Sequence, residues 1–330
     1  MGKYRIGRGY RRSRRWPYVL VPVVLLIFAT YTLSSSLFGG GQGDNLASQP
    51  TLSAQDAERA DVLKKIELTA QLPWPDYGQA AFGAARGGVV VRSDNADQPV
   101  PIASLAKVIT ALAVLDKKPL QPGEQGPLIT LTEQDEANYW EYVRKQGSVT
   151  PVKAGVQVSQ YQAMQAMLLP SSNNMADALV VWAFGSMDNY VSYANNMVKE
   201  LGFSKTTVAD ASGYSPLTKS TAAEMVGLGF LFIDNPVLQD IAKQPEADIP
   251  FAGKIHNYND GINNDGILGL KVGFTDEAGK TFLAADFPGT GRDDISLAVV
   301  LGAADWQTLL NDTKTLLLSG KEEYKRAESS

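Results

Sequence analysis

Residues 101–112 read PIASLAKVITAL and open a strong helix pattern, which the sequence predicts from Ser104 to Leu115. Apolar residues cover most of the circumference of this helix, so we expect it to be buried at the centre of the fold. Ser104 and Lys107 lie three residues apart at its start. Their side chains therefore share one face of the helix, a turn apart.

Ser104 and Lys107 are the residue types that nucleophilic catalysis requires. A serine hydroxyl is a weak nucleophile and needs a base nearby. A lysine serves as that base when burial lowers its pKa from about 10.4, and the neighbours of Lys107 are small and apolar. The free N–H groups of a helix N-terminus also suit an oxyanion. Taken alone, this short motif fits a capping serine and a solvated lysine better.

Two further motifs contain polar residues where a substrate could bind. Ser171-Ser172-Asn173 forms S-x-N in a turn between two apolar helical stretches, where polar side chains can relay a proton and hold an amide. An ordinary N-cap cluster would look the same. Lys271-Val272-Gly273 lies on a predicted strand, and its glycine would let a substrate backbone approach. The alternative is an exposed strand lysine beside a turn.

The order and spacing of the three motifs favour a shared function. S-x-x-K is followed by S-x-N 67 residues later and by K-x-G 100 residues after that, the motif set of the active-serine, penicillin-recognising enzymes. The surrounding stretches are PIASLAKVITAL, MLLPSSNNMADAL, ADASGYSPLTKSTAAEM and GLKVGFTDEAGKTFL. Through them the chain resembles the D-alanyl-D-alanine carboxypeptidases, low-molecular-mass penicillin-binding proteins, over residues 77–318.

The resemblance implies a role for each matching residue. The catalytic residues would be the acylated nucleophile, its general base and a proton relay: Ser104, Lys107 and Ser171. The substrate-binding residues would be Asn173, Lys271, Gly273, Phe274 and Thr275. Asn173 would bind the substrate amide, and Lys271 would face the terminal carboxylate and help keep Lys107 neutral. The N–H groups of Ser104 and Phe274 would form the oxyanion hole, with the Thr275 hydroxyl near the carboxylate.

Val272 departs from the family pattern, which usually has Thr or Ser at this position. Valine keeps the shape but loses the hydroxyl, so a polar contact is missing. We give no catalytic role to His256. Asp210, Ser212 and Gly213 are expected to shape a loop, and Glu141 with Tyr142 to lie on a solvated helix face.

The body of the chain predicts an α/β domain with strands at both ends and helices between them. The strands are expected at Ala81–Ala85, Gly88–Arg92, Leu268–Phe274, Thr281–Asp286 and Ile295–Leu301, followed by an amphipathic helix over Ala304–Leu318. The resemblance implies a transpeptidase fold like that of penicillin-binding proteins and β-lactamases. Its five-stranded, mainly antiparallel sheet is flanked by helices and joined by a helical subdomain.

The N-terminal region predicts a membrane anchor. Residues 1–15 carry seven basic residues, and no charge follows until Asp44. We interpret 1–15 as a cytoplasmic tail and 16–38 as a transmembrane helix, favoured over a cleaved signal peptide. A linker with a short helix would follow over 39–72, the catalytic domain over 73–320 and a charged tail over 321–330. The predicted location is the cell membrane, single-pass, with the catalytic domain outside the cytoplasm.

Composition excludes several other chemistries. The chain has no cysteine and a single histidine, so disulfides, a cysteine nucleophile and a zinc site of several histidines are excluded. The sequence suggests no metal or organic cofactor. The residues after the basic tail hold 23 basic against 35 acidic side chains, which makes nucleic acid an unfavourable partner.

The sequence therefore predicts a membrane-anchored serine D-Ala-D-Ala carboxypeptidase. It would trim peptidoglycan stem peptides through an acyl-enzyme, and β-lactams would inhibit it. Val272 is the only support for an alternative, a catalytically silent penicillin-binding protein. A β-lactamase is disfavoured, because the chain has no E-x-x-L-N motif. Carboxypeptidase and endopeptidase remain open alternatives.

Overall fold

A five-stranded antiparallel sheet organises the fold. The computed structural model describes residues 72–85, 88–260, 266–288 and 291–329. The strands of these ranges are β1 Gln79–Ala84, β2 Val89–Arg92, β3 Val100–Pro101, β4 Leu128–Thr130, β5 Gln157–Ser159, β6 Lys219–Ser220, β7 Glu246–Ile249, β8 Gly253–His256, β9 Ile267–Thr275, β10 Gly279–Asp286 and β11 Ser296–Ala303. The main sheet has the order β2-β1-β11-β10-β9, so the first and last strands of the domain pair at its centre. This confirms the predicted sheet joined from both ends of the chain.

Helices cover both faces of this sheet. They are α1 Ala106–Lys117, α2 Glu133–Arg144, α3 Gln160–Leu168, α4 Asn173–Phe184, α5 Met187–Glu200, α6 Ala222–Asp234, α7 Pro236–Ala242 and α8 Trp306–Ser329. Strand β11 shows how the two layers arise, since its side chains alternate between the faces. Leu297 and Val299 join the larger core with α1 to α7, whereas Ala298 and Val300 join the smaller core under α8.

Helix α1 lies at the centre of the larger core, as its apolar pattern predicts. Its residues from Ala106 to Ala111 are buried, and the polar Thr110 among them is satisfied. The Thr110 hydroxyl lies 2.7 Å from the Ala211 carbonyl oxygen and 2.7 Å from the Tyr190 hydroxyl. These contacts fix α1 against α5 and against the loop of residues 209–218.

The C-terminal helix extends further than the sequence predicts. We expected it to end at Leu318 before a charged tail, but α8 continues to Ser329. Lys321 forms an ion pair with Asp286, whose side chain is only 5% exposed, and Tyr324 packs against the smaller core. Leu72, the last residue of the predicted linker, is buried in the same core. The charged residues after Leu318 therefore led to a wrong end for the helix. One face of this segment is charged, but the other packs against the domain through Lys321 and Tyr324.

We expect Lys321→Met to destabilise the domain by about 3 kcal/mol, because it leaves the buried Asp286 carboxylate without its cation. Urea denaturation of the full chain measures this change. Arg326→Met is the matched control, since Arg326 pairs with Glu323 on the same helix but is 72% exposed. The control should shift the free energy of unfolding by less than about 0.5 kcal/mol. Equal effects of the two variants would contradict the assignment.

The predicted tail and anchor of residues 1–38 lie outside the described residues, as does the predicted linker up to residue 71. Within the described ranges, no single helix is long and apolar enough to cross a membrane. The adjacent helices α6 and α7 pass that test only as a pair, and they are bent by 98° relative to each other.

Candidate active site

Ser104 lies in a short 3-10 helix, Ala103–Leu105, that leads directly into α1. Two glycines allow the neighbouring backbone to approach it. A Cβ added to Gly273 on β9 would lie 2.7 Å from the Ser104 nitrogen, and one added to Gly213 would lie 1.8 Å from the Ala103 carbonyl oxygen. Ala103 itself has a φ of 46°, a left-handed conformation that side chains disfavour. The serine is thus presented on a constrained turn between α1 and the edge of the sheet.

Lys107 is the closest base to Ser104. Its Nζ lies 2.8 Å from the Ser104 Oγ, 2.8 Å from the Asn173 Oδ1 and 3.0 Å from the Ser212 carbonyl oxygen. The side chain is fully buried, and this burial lowers the pKa of Lys107 to about 7, although the charges of Asp210 and Asp177 oppose the shift. A lysine with that pKa is substantially neutral at physiological pH and can accept the proton of a serine.

The alternative of a capping serine and a solvated lysine is wrong. No side chain caps the start of α1, and the lysine is buried. The i, i+3 spacing instead brings hydroxyl and amine into contact, as the helical geometry predicts.

The S-x-N turn supplies the opposite wall. Ser171, with a φ of 61°, and Asn173 at the start of α4 both line the cleft beside Ser104. The middle residue, Ser172, serves the fold instead: its hydroxyl accepts from the Thr150 N–H at 2.8 Å and lies 2.7 Å from the Asn174 Oδ1. Because the Asn173 oxygen accepts from Lys107, its amide nitrogen is left for a substrate.

Lys271 is fully buried behind the cleft. Its Nζ donates to the Asn259 Oδ1 at 3.1 Å and to the Val272 carbonyl oxygen at 2.9 Å. Burial lowers the pKa of Lys271 well below its ordinary value, and the charge of Lys107 lowers it further. The charge of a protonated Lys107 thus disfavours protonation of Lys271, whereas the role of Lys271 in keeping Lys107 neutral is an implication of the resemblance. Its contact with a substrate carboxylate stays a prediction.

The remaining predicted residues line one open cleft of about 790 Å³ that contains Ser104. Gly273, Phe274 and Thr275 follow each other along β9 at its edge. The Thr275 hydroxyl accepts from the Ala278 N–H at 3.2 Å, so its proton remains available for a substrate. His256 lies on β8, with an exposed side chain beside Glu246.

Several neighbours of the site were missed or misjudged from the sequence. Tyr142 does not share the solvated face of the exposed Glu141: it is half-buried, and its hydroxyl donates to the Asp177 Oδ2 at 2.9 Å. Burial raises the pKa of Asp177 to about 7. A single acid within the apolar stretch NMADALVVW was the available signal for Asp177. Nothing in the sequence marked Asn259 as the partner of Lys271.

The predicted loop around Asp210 does shape this region. The Asp210 carboxylate accepts from the Ser212 hydroxyl at 2.9 Å and from the Tyr214 N–H at 2.9 Å. This turn presents the Ser212 carbonyl to Lys107 and places Tyr214 on the cleft.

A serine hydroxyl in contact with a buried lysine of lowered pKa, beside an edge strand and an S-x-N turn, defines the active-serine acyl-transfer enzymes. The family model described as D-alanyl-D-alanine carboxypeptidase matches residues 80–305, and the chain belongs to this family. The resemblance to the D-alanyl-D-alanine carboxypeptidases, seen in four stretches of the sequence, is confirmed.

Characterised relatives include both peptidase types. A D-alanyl-D-alanine endopeptidase of Pseudomonas aeruginosa is 30% identical over 71% of this chain and 73% of its own length. The D-alanyl-D-alanine carboxypeptidase DacC of Escherichia coli is 29% identical over 77% of this chain, which spans only 63% of DacC. Penicillin-binding protein D2 of Listeria monocytogenes, solved in a cefotaxime-bound form, is 28% identical with a TM-score of 0.61. That match covers 75% of this chain and 99% of the solved one, and supports the transpeptidase fold.

Proposed function

We propose that this chain is a membrane-anchored serine D-Ala-D-Ala carboxypeptidase that trims peptidoglycan stem peptides outside the cytoplasm. The observation that carries the catalytic part is the 2.8 Å contact between the Ser104 Oγ and the Nζ of a fully buried lysine. Membership of the D-alanyl-D-alanine carboxypeptidase family supports the substrate. A pure binding protein would have no need of this nucleophile–base pair.

Acylation begins with neutral Lys107. Its lone pair takes the proton of the Ser104 hydroxyl, and the Oγ attacks the carbonyl carbon of the penultimate D-alanine. The oxyanion is stabilised by the N–H groups of Ser104 and Phe274, and Asn173 holds the substrate amide. The C–N bond then breaks, and the leaving amine of the terminal D-alanine receives a proton through Ser171. The peptide remains as an ester on Ser104.

Deacylation reverses the proton transfers. Lys107 accepts a proton from water, and the hydroxide oxygen attacks the ester carbonyl. The Ser104 oxygen leaves and is reprotonated, which restores the enzyme and releases the shortened peptide. A β-lactam would follow the first step, since its strained amide carbonyl presents the same electrophile.

A test of this function measures release of free D-alanine by the full chain from an N-acetylated peptide ending in Lys-D-Ala-D-Ala. The control peptide ends in L-alanine and should not be cleaved. Fluorescent penicillin labelling without D-alanine release would favour the silent penicillin-binding protein. Rapid loss of the label, with penicillin hydrolysed, would favour a β-lactamase.

The endopeptidase remains a second candidate, because the Pseudomonas aeruginosa relative is described as one. A cross-linked peptide dimer separates the two activities. A carboxypeptidase leaves the cross-link intact, whereas an endopeptidase cleaves it at a rate comparable to that of the linear peptide.

The membrane part of the proposal rests on the sequence of residues 1–38, in which seven basic residues precede an apolar stretch. A basic flank is retained in the cytoplasm. Protease added outside spheroplasts should therefore degrade the catalytic domain. Protection of that domain until lysis would contradict the proposed topology.

A further inference from the structure

Asn259 is a buried residue whose amide contacts both walls of the catalytic cleft, although the acyl-transfer steps make no use of it. It is only 2% exposed. The Oδ1 accepts from the Lys271 Nζ at 3.1 Å and from the Val272 N–H at 2.8 Å. The Nδ2 donates to the Leu168 carbonyl oxygen at 3.1 Å and to the Asn257 Oδ1 at 2.9 Å. The amide thus has a partner for each of its two donors and two acceptors for its oxygen to serve.

Only one orientation of this amide fits its surroundings. Exchanging its oxygen and nitrogen would aim an N–H group at the Val272 N–H, and the oxygen at the carbonyl oxygen of Leu168. Each of these arrangements brings like groups together and leaves buried polar atoms without a hydrogen bond, which is unfavourable. The Asn259 side chain is therefore fixed with its oxygen towards Lys271.

The backbone around Asn259 is also held against both walls. The Tyr258 N–H donates at 2.9 Å to the carbonyl oxygen of Leu169, two residues before Ser171. On the other side, a Cβ added to Gly269 on β9 would lie 1.7 Å from the Asn259 carbonyl oxygen, so this close approach requires a glycine. The segment therefore joins the S-x-N turn to the edge of β9.

The contacts of Asn259 close part of this edge. In an antiparallel sheet the N–H and C=O groups of alternate residues point to the same edge. Those of Val272 are occupied, the N–H by the Asn259 oxygen and the carbonyl by the Lys271 Nζ at 2.9 Å. The next residue with the same direction is Phe274, which lines the cleft. A substrate that pairs with Phe274 therefore meets the Lys271 amine where the open part of the edge ends.

The position of the Lys271 amine depends on these hydrogen bonds. A lysine side chain is long and flexible, so its amine needs partners to remain in one place. The Nζ has two, the carbonyl oxygen of Val272 on its own strand and the Oδ1 of Asn259 from outside the sheet. Both are neutral oxygens. The third donor of an ammonium group is therefore left for a substrate carboxylate.

We infer that Asn259 is a positioning residue that holds the Lys271 amine at the end of the open edge, where the terminal carboxylate of the substrate binds. This inference rests on the proposed function, since it uses the predicted contact between Lys271 and that carboxylate. It adds to substrate recognition a residue that lies outside the three motifs. Asn259 acts on the substrate only through Lys271.

The test compares a fluorescent penicillin, which carries a free carboxylate, with its methyl ester. The full chain is labelled with each, and the ratio of the two labelling rates measures recognition of the carboxylate. We expect the unsubstituted protein to react at least about tenfold faster with the acid, because the ester lacks the hydrogen bond of a charged group. Asn259→Leu should lower the rate with the acid about tenfold and the rate with the ester less than about twofold.

A double substitution tests whether Asn259 acts through Lys271. Lys271→Met removes the amine and should bring the ratio of the two rates close to that of a protein indifferent to the carboxylate. Adding Asn259→Leu to Lys271→Met should then change the ratio by less than about twofold, because effects of residues that act as one unit do not add.

Asn195→Leu is the matched control. The Asn195 amide also joins two segments, since its Nδ2 donates to the Val191 and Val208 carbonyl oxygens at 2.8 and 2.7 Å and its Oδ1 accepts from the Val208 N–H at 3.0 Å. Its loss should leave both labelling rates within about twofold. Asn259→Ser repeats the test with a smaller polar side chain, which is too short to reach Lys271 and places no apolar group beside the amine.

Three results would overturn the inference. The first is equal labelling by the acid and the ester in the unsubstituted protein. The second is an equal fall in both rates, or a loss of all labelling, in both Asn259 variants, since this would assign Asn259 to the fold alone. The third is a further fall in the ratio when Asn259→Leu is added to Lys271→Met. Failure of the proposed function would appear separately, as a lack of D-alanine release by protein that penicillin labels normally.

Discussion

Ser104→Ala should abolish covalent labelling of the full chain by a fluorescent penicillin and reduce D-alanine release by a factor on the order of 10⁵. The Ser104 Oγ is the hydroxyl that lies 2.8 Å from the Nζ of Lys107, so its removal eliminates the atom to which the substrate becomes attached. Intact-mass spectrometry measures the adduct, and peptide mapping locates it. The unsubstituted protein should carry one adduct, on the peptide that contains Ser104.

Ser148→Ala provides the control for this loss. Ser148 lines the same cleft, but the acyl-transfer steps do not use its hydroxyl. Labelling should continue in this variant at close to the unsubstituted rate. An adduct that persists in Ser104→Ala would show that another residue is the nucleophile and would refute the mechanism.

The sequence predicted those parts of the site that depend on local geometry. Ser104 and Lys107 are joined by helical periodicity, so their contact follows from spacing alone. The contact between Lys107 and Asn173 spans 66 residues, and the one between Lys271 and Asn259 depends on a loop packed behind β9. Neither has a local signal. Through the resemblance, the sequence predicted only that Lys107 and Asn173 belong to one site. It did not predict the contact between Lys271 and Asn259.

The fold shows the same division. Apolar periodicity and strand alternation predicted α1 and the three C-terminal strands, because the buried face of each element is visible as a pattern of apolar residues in its own sequence. The predicted end of α8 was wrong because Lys321, which pairs with Asp286, cannot be distinguished by sequence from the solvated charged residues around it. Tyr142 was misplaced for a related reason, since its burial depends on the distant Asp177.

The structure also changes the meaning of Val272. From the sequence it is only a missing hydroxyl in a substrate-binding motif. In the fold it lies on the side of β9 that faces α8 and packs with Leu310.

The charges around Lys107 form a balance that decides its protonation. Burial favours the neutral amine, whereas Asp210 in the adjoining loop and Asp177 on α4 favour the ammonium. Tyr142 donates to Asp177 and thereby orients that carboxylate. The net result places the pKa of Lys107 at about 7, within the range where a general base is most effective.

Lys107→Met should therefore lower the rate of acylation by penicillin by about 10³-fold, the usual contribution of a positioned general base. Methionine retains the apolar length of the side chain but cannot accept a proton. Stopped-flow labelling measures the rate. A loss of less than about tenfold would mean that another group takes the proton of Ser104.

The pH dependence of acylation distinguishes the base role from a structural one. The unsubstituted protein should acylate at a constant rate above about pH 8, at about half that rate at pH 7 and about 100-fold more slowly at pH 5, because the ammonium form of Lys107 has no lone pair. Asp177 is itself about half ionised at pH 7, and Asp177→Asn removes this partial negative charge beside the ammonium, so the fall in rate should move modestly to lower pH. Asp188→Asn, an equal change at an exposed position on α5, should leave it in place. A shift to higher pH in Asp177→Asn, or none, would refute the charge balance.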